Sequence, residues 1–443
     1  MPARRRPDGQ AMSRTTRATD RNVDATLMTG NHVRLTIPVK GPPMPTMQTP
    51  PGPHTVIDGR RYLYFAGTGY LGLQGHPQVI GAACEAAEQY GMGSATSRTR
   101  TGFGDTPPAL LTESRAAEFF GTEAALYLPS GYLAPQVLFR ALGDHCDVVF
   151  LDEHCHDALS DASRILAKPV VRFRHRAPAD LLEKLYLHAA GGRRPLVATD
   201  GVFPATGTAA PLADYHSILT AFSGAALVVD DAHGVGVLGE HGRGVLEHAG
   251  LFDEWANAYE DEPSFGPHPT GPRVYWCASL GKAFGGYGGI IPGTHRFIEH
   301  VKIQSPVYSG AAPPPAPLAA ATAEGLRIAL SEPKLRERLH ANTRTLKSGL
   351  RDIGFNVENE TTPIACLHLD SAELLQRFQQ NLSHCGILVA YLSHYPGLPP
   401  QGAIRIAVFA THTEAMIVRL LEELCLRRPV AALEVSRPSS EVG

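Results

Sequence analysis

The chain lacks most of the features that would place it outside the ordinary folded proteins. It has no Cys-x-x-Cys pair; its 7 cysteines stand apart at positions 84, 146, 155, 277, 366, 385 and 425. An odd, dispersed set is no disulfide scaffold and fits a reducing compartment, so a cytoplasmic location is the expectation. No apolar run reaches the roughly 18 residues needed to cross a bilayer, and no membrane association is expected. Charge of one sign is missing too. Lys and Arg number 40 against 43 Asp and Glu, a net −3 over 443 residues, without the basic field that attracts nucleic acid. No HExxH motif and no short repeat occur, which excludes the commonest zinc-protease signature and a collagen-like or coiled-coil chain. What is present is a globular composition, 43% hydrophobic with 44 Gly and 36 Pro, long enough for about two or three structural units.

Residues 1–53 read as a disordered tail. Arg4, Arg5, Arg6, Arg14, Arg17, Arg21 and Arg34 are spread through it, and Pro42, Pro43, Pro45, Pro50, Pro51 and Pro53 close it. Such a segment buries too little apolar surface to offset its ordering entropy. A transit peptide is disfavoured by Asp8, Asp20 and Asp24, and Met12 or Met28 could equally be the translation start. From His54 onward the chain is compact. A hairpin turns at Asp58-Gly59, and helices are expected over 77–90 and 112–120. Short apolar runs then recur at 124–128, 148–151, 170–173, 196–199, 225–229, 274–278 and 289–291, with amphipathic stretches between them. That rhythm predicts an α/β fold, a mostly parallel sheet of about seven strands with helices on both faces. A long helix over 324–352 opens a smaller C-terminal α+β domain, with a strand at 362–369, a helix at 372–384, a strand at 404–409 and a helix at 413–426. The expected division is 54–322 for an N-terminal segment with the large domain and 323–430 for the small one. The Pro- and acid-rich stretch 255–272 reads as a surface insertion.

Four places carry chemistry. Lys282, in SLGKAFGG, follows a strand among Ala, Gly and Phe; either it is an ordinary loop lysine or a desolvated amine available as a nucleophile. Asp230 and His233, in VVDDAHG, end an apolar strand, where open α/β sheets gather their ligands. Asp152, His154 and His156 could extend that acid pair into a metal set, but no spacing fixes such a geometry, and no metal is expected. Ser130-Gly131-Tyr132 is either a phosphate-binding turn at a helix start or a plain N-cap. His156, beside a strand end, is on its own more often structural. Together the four supply what pyridoxal 5′-phosphate needs: an amine, an acid for the ring nitrogen, a phosphate nest and a flat group for the ring face.

The sequence resembles the α-oxoamine synthase family of pyridoxal-phosphate enzymes. The resemblance runs from about His54 to about Arg427 and rests on GYLGLQGHP (69–77), PSGYLAP (129–135), TDGVFPATGTAAPL (199–212), VVDDAHGVGVLGEHGRG (228–244), SLGKAFGGYGG (279–289) and IRIAVFATHTEA (404–415). It implies a fold type I transferase acting as a homodimer. Position by position, Lys282 matches the Schiff-base lysine, Asp230 the acid at the ring nitrogen, His233 the residue beside the phenolic oxygen and His156 the stacked histidine. Gly131 and Tyr132 fall where backbone amides hold phosphate, Ser279 where a hydroxyl precedes the lysine, and Arg405 where an arginine binds the substrate carboxylate. The planar fork of Arg suits a carboxylate in a way that Lys does not. The implied activity is condensation of a small amino acid with an acyl-CoA to an α-amino ketone. An aminotransferase or aldolase on the same fold is the alternative, and a non-catalytic cofactor-binding protein the third reading. The departures are Thr68 for a usual Asn, Pro204 for a Ser, Pro107 for a His and Gly310 for a Ser or Thr; the last implies loss of one phosphate contact from a neighbouring subunit, none touches Lys282, Asp230, His233 or His156, and they bear chiefly on the substrate.

Overall fold

The computed structural model describes residues 45–98, 104–252 and 271–428, together with the backbone of strands 23–26 and 34–37. In the N-terminal unit, β1 (Val23–Thr26) pairs antiparallel with β2 (Arg34–Ile37), Val23 opposite Ile37. The rest of the expected tail before residue 45, and nearly all of the 255–272 insertion, lie outside the described residues. The second unit begins earlier than composition suggests. The Gln48 N–H donates to the Val56 carbonyl and the Tyr64 N–H to the Pro53 carbonyl, so residues 48–53 run beside the first hairpin.

That hairpin joins β3 (His54–Ile57) to β4 (Arg60–Tyr64), and Asp58 and Gly59 both take positive φ, as a two-residue turn matching the strand twist requires. It pairs with β13 (Ile387–Leu388) near the other end of the chain. Residues 54–64 thus share a sheet with a strand from far along the chain.

The central sheet is built from β5 (Ala124–Leu128), β6 (Val148–Asp152), β7 (Val170–Phe173), β8 (Pro195–Asp200), β9 (Ala226–Asp230), β10 (Arg273–Ser279) and β11 (Gly289–Gly293), in the order β5-β11-β10-β9-β8-β6-β7. β10, β9, β8, β6 and β7 are parallel in sequence of contact, and β11 runs antiparallel between β10 and β5. β6, β8 and β9 are buried at every position, which is why they read as unbroken Val/Leu/Ala runs rather than alternating ones. Apolar cores lie on both faces: Phe120, Trp276 and Phe284 meet edge-on on one, and Leu138, Leu159 and Phe297 fill the other.

The helices 77–90 and 372–384 match their expected limits, and Pro107 rather than Thr112 opens the second helix, Pro107–Phe120. The single long helix expected over 324–352 is two, Ala316–Ser331 and Lys334–Asp352. Pro333 explains the break, since it has no N–H for the ladder and its ring meets the preceding turn. β12 (Ile364–Leu367), β15 (Ala403–Ala407) and β14 (Ala390–Leu392) form a second, antiparallel sheet.

His412 ties this C-terminal sheet to the hairpin. Its ring stacks on Phe65 at 4.3 Å, Nδ1 accepts the Phe409 N–H at 2.8 Å, and Nε2 donates to the Tyr64 carbonyl at 3.0 Å. Burial lowers its pKa to about 4. The unfolded chain therefore binds more protons between pH 4 and the ordinary histidine value near ~6.5, and stability is full above that value and falls as pH drops. Chemical denaturation is expected to lose about 2 kcal/mol between pH 7 and pH 5, and a His412→Gln variant to lose that share of the slope.

Candidate active site

Parallel strands end together, and the segments leaving β5, β6, β8, β9 and β10 converge on one rim of the sheet. A cavity of about 270 Å³ opens there, lined by Ser130, Gly131, Tyr132, His156, Asp200, Pro204, Asp230, His233, Ser279 and Lys282, among others.

Each side chain is placed by a local device. After β9, the Asp230 carboxylate accepts the Ala232 N–H at 3.2 Å and stays on the cavity side. The next acid, Asp231, is turned away to accept the Val245 N–H, in a space that a Cβ at Gly201, Gly234 or Gly244 would enter. After β10, the Gly285 N–H returns to the Lys282 carbonyl and the Gly286 N–H to that of Leu280, a tight loop that holds Lys282 half-buried at the cavity. Gly285 has φ +64°, and a Cβ there would lie 2.5 Å from the Leu73 backbone carbon, so the loop requires a glycine.

His156 is the N-cap of helix Asp157–Ile165. Its Nδ1 accepts the Ala158 N–H at 3.1 Å, which leaves the proton on Nε2, and its own N–H donates to Asp200 at 2.7 Å. After β5, the Ser130 hydroxyl accepts the Tyr132 N–H, and a Cβ on Gly131 would sit 2.7 Å from that of Ser279. Backbone amide, hydroxyl and helix start therefore face the same small space.

Electrostatics reflect this crowding. Burial pushes the Lys282 ammonium below the usual lysine range, with Asp230 and Asp200 pulling the other way. Burial raises Asp230 against the pull of Lys282 and His156, and raises Asp200 well above the ordinary carboxyl value with the help of the Asp230 charge. His233 is held well below its usual value by burial and by the positive charges of Lys282 and Arg405. An easily neutralised amine beside paired acids is an arrangement for proton transfer at carbon.

Of the residues singled out in the sequence, Lys282, Asp230, His233, His156, Gly131, Tyr132 and Ser279 share the cavity wall. Arg405, on β15, stands one layer back. It donates to the Pro204 carbonyl at 2.7 Å, the Gly67 carbonyl at 2.8 Å and the Tyr70 hydroxyl at 3.1 Å. Those bonds use three of the five N–H groups an arginine carries. Thr68 adjoins the Gly67 partner, and Pro204 lines the cavity. Gly310 ends the short helix Pro306–Gly310 in open space. Sequence reading missed Asp200 and Tyr70. For Asp200 a signal existed: it lies opposite Asp230 in the β8–β9 register, at the same carboxyl edge.

An amine, a buried acid, a flat imidazole and a Gly-Ser turn on one cavity fit pyridoxal 5′-phosphate, and the space beside Ser279 exists because Gly131 has no Cβ. Fold and site together define a fold type I pyridoxal-phosphate transferase. The chain belongs to the aminotransferase class I and II family, whose model matches residues 63–424, and within it to the α-oxoamine synthases. It is 36% identical over 374 residues to the 8-amino-7-oxononanoate synthase of Thioalkalivibrio sulfidiphilus, covering 84% of this chain and 90% of that one. The synthase of the same name from Nitrosococcus oceani is 34% identical, over 85% of this chain and 94% of its own. Among solved structures, the serine palmitoyltransferase of Sphingomonas wittichii superposes with a TM-score of 0.77 at 27% identity, covering 88% of this chain and 93% of that chain. That of S. paucimobilis, solved with a bound PLP–myriocin aldimine, gives 0.76 at 26% identity, with 87% and 92% covered. No described helix is long and apolar enough to cross a membrane.

Proposed function

We propose that this chain is a C-acyltransferase that joins the α-carbon of a small amino acid to the acyl group of an acyl-CoA. A carbon–carbon bond forms, the thioester carbon–sulfur bond breaks to release free coenzyme A, and the carboxylate leaves as CO2 to give an α-amino ketone. The observation that carries the reading is the convergence of Lys282, Asp230, His156 and His233 on one cavity, with Arg405 bonded to the carbonyl of Pro204 in its wall.

Bound pyridoxal phosphate supplies a sink for the electrons left at the amino acid's α-carbon. Lys282 would hold it and, once exchanged for the substrate amine, take the α-proton, a task its lowered pKa suits. Asp230 would keep the ring nitrogen protonated, His156 would cover the ring face with Nε2–H free to donate to a developing oxyanion, and His233 would face the phenolic oxygen. Gly131, Tyr132 and Ser279 would cradle the phosphate. The two remaining N–H groups of Arg405 would take the substrate carboxylate.

A homodimer and a cytoplasmic location belong to the same proposal. Helix Ala316–Ser331 packs against helices 77–90 and 107–120. Ile80, Leu110, Leu111, Leu318 and Leu330 of this trio stay exposed, as a face meant for a second copy of the chain would leave them.

The test is release of free thiol. With pyridoxal phosphate present, glycine, alanine and serine are each paired with acyl-CoAs of increasing chain length. One pair should release thiol in step with consumption of the amino acid, the relatives' name pointing first to alanine with a long dicarboxylic acyl group. Oxo-acid formation without thiol release would move the chain to the aminotransferases; inertness with every pair would contradict catalysis.

A further inference from the structure

Tyr70 stands in GTGYLGL, far in sequence from everything it touches, and it is fully buried. Its hydroxyl oxygen lies 3.1 Å from Arg405 Nη2 and 2.7 Å from His233 Nδ1. Arginine carries donors alone, so the Tyr70 oxygen must accept from Arg405. The hydroxyl has one proton of its own, and a buried proton left without an acceptor is costly. Among the described residues the acceptor in reach is His233 Nδ1. Nδ1 therefore carries a lone pair, and the ring proton sits on Nε2.

We infer that Tyr70 is a positioning residue: it reads the fixed donor of Arg405 and, through its own proton, sets His233 as a neutral, Nε2-protonated donor toward the cavity. The chain of bonds has one direction, from Arg405 through Tyr70 to His233, because its first member cannot accept. Phe at position 70 keeps the ring's packing and removes both bonds. The charged groups facing His233 are Lys282, Arg405 and His156, with Asp230 and Asp231 preceding it in the chain; none supplies a competing bond to Nδ1. Two sites are linked by this arrangement. A carboxylate that draws on Arg405 alters the strength of the Tyr70 bond, and His233 adjusts its own donation to whatever lies at Nε2.

This inference deepens the proposed function, but its first readout does not depend on that reading. Full-length protein with 15N-labelled histidine is examined by NMR, with and without pyridoxal phosphate, the His233 signals being assigned by their loss in His233→Asn. Wild-type His233 should show one species, protonated at Nε2, from pH 6 to pH 9. In Tyr70→Phe, and in Arg405→Met should the first variant fold poorly, the Nδ1-protonated form should appear beside it. In the catalysed reaction, Tyr70→Phe should also raise KM for the amino acid about tenfold, more than it lowers kcat. A folded Tyr70→Phe in which His233 remains wholly Nε2-protonated would overturn the inference, whatever its melting temperature. A failure of the acyl-transfer reading alone would leave the NMR result standing.

Discussion

Lys282→Ala is expected to remove the visible absorbance that the wild-type chain develops with pyridoxal phosphate and to lower kcat at least ~10³-fold, the order associated with losing what the proposed function makes both base and covalent anchor. The structural ground is that Lys282 has no duplicate. Among the residues lining the cavity no other amine is present, and the loop that holds Lys282 is fixed by its own Gly285 and Gly286 returns. Folding should survive the change. Truncating Lys282 relieves the desolvation that holds its amine below the usual lysine range, but leaves the Asp230 and Asp200 acids without their cation. A cooperative unfolding transition that persists together with a missing absorbance band separates loss of chemistry from loss of structure. An unchanged spectrum would show that the cofactor is anchored elsewhere.

Asp230→Asn is expected to lower kcat on the order of 10³-fold while the cofactor remains bound through Lys282. An amide cannot hold the ring nitrogen in its protonated form, and without that charge the ring accepts electrons poorly. The substitution also removes the anion that raises the Lys282 pKa, so Lys282 should titrate lower still in the variant. Asp231→Asn is the matched control. Its carboxyl serves the Val245 N–H and a pocket cut by three glycines, so its cost should fall on stability and leave kcat nearly intact. Equal activity in Asp230→Asn and wild type would remove Asp230 from the site.

The distinction between Asp230 and Asp231 shows how far residue order carries the reading. Successive residues of a strand point to opposite faces, so one acid of the pair must leave the cavity; the reading took Asp230 from the strand end and then from the family resemblance, and in the structure Asp230 lines the cavity while Asp231 accepts the Val245 N–H. β6, β8 and β9 were legible because buried parallel strands are short apolar runs, and β7 (Val170–Phe173), an edge strand with only Phe173 buried, still matched its expected limits. The helix break at Pro333 was also written in the sequence, and apolar spacing on either side of it masked a residue that cannot continue the ladder. Tyr70 was a different case. Its partners lie 163 and 335 positions away, and nothing local marks a tyrosine as the meeting point of two such groups. Likewise the pairing of β4 with β13 depends on closure of the chain ends, which no periodicity records.

If the Lys282 amine is the atom that bonds the cofactor, hydride trapping will find the label there. The full-length protein is loaded with pyridoxal phosphate, treated with borohydride to reduce the carbon–nitrogen bond irreversibly, digested, and its peptides weighed. One phosphopyridoxyl group per chain is expected, on the peptide containing Lys282. A label on any other lysine, or none, would contradict the assignment of Lys282 and with it the proposed chemistry of the cavity.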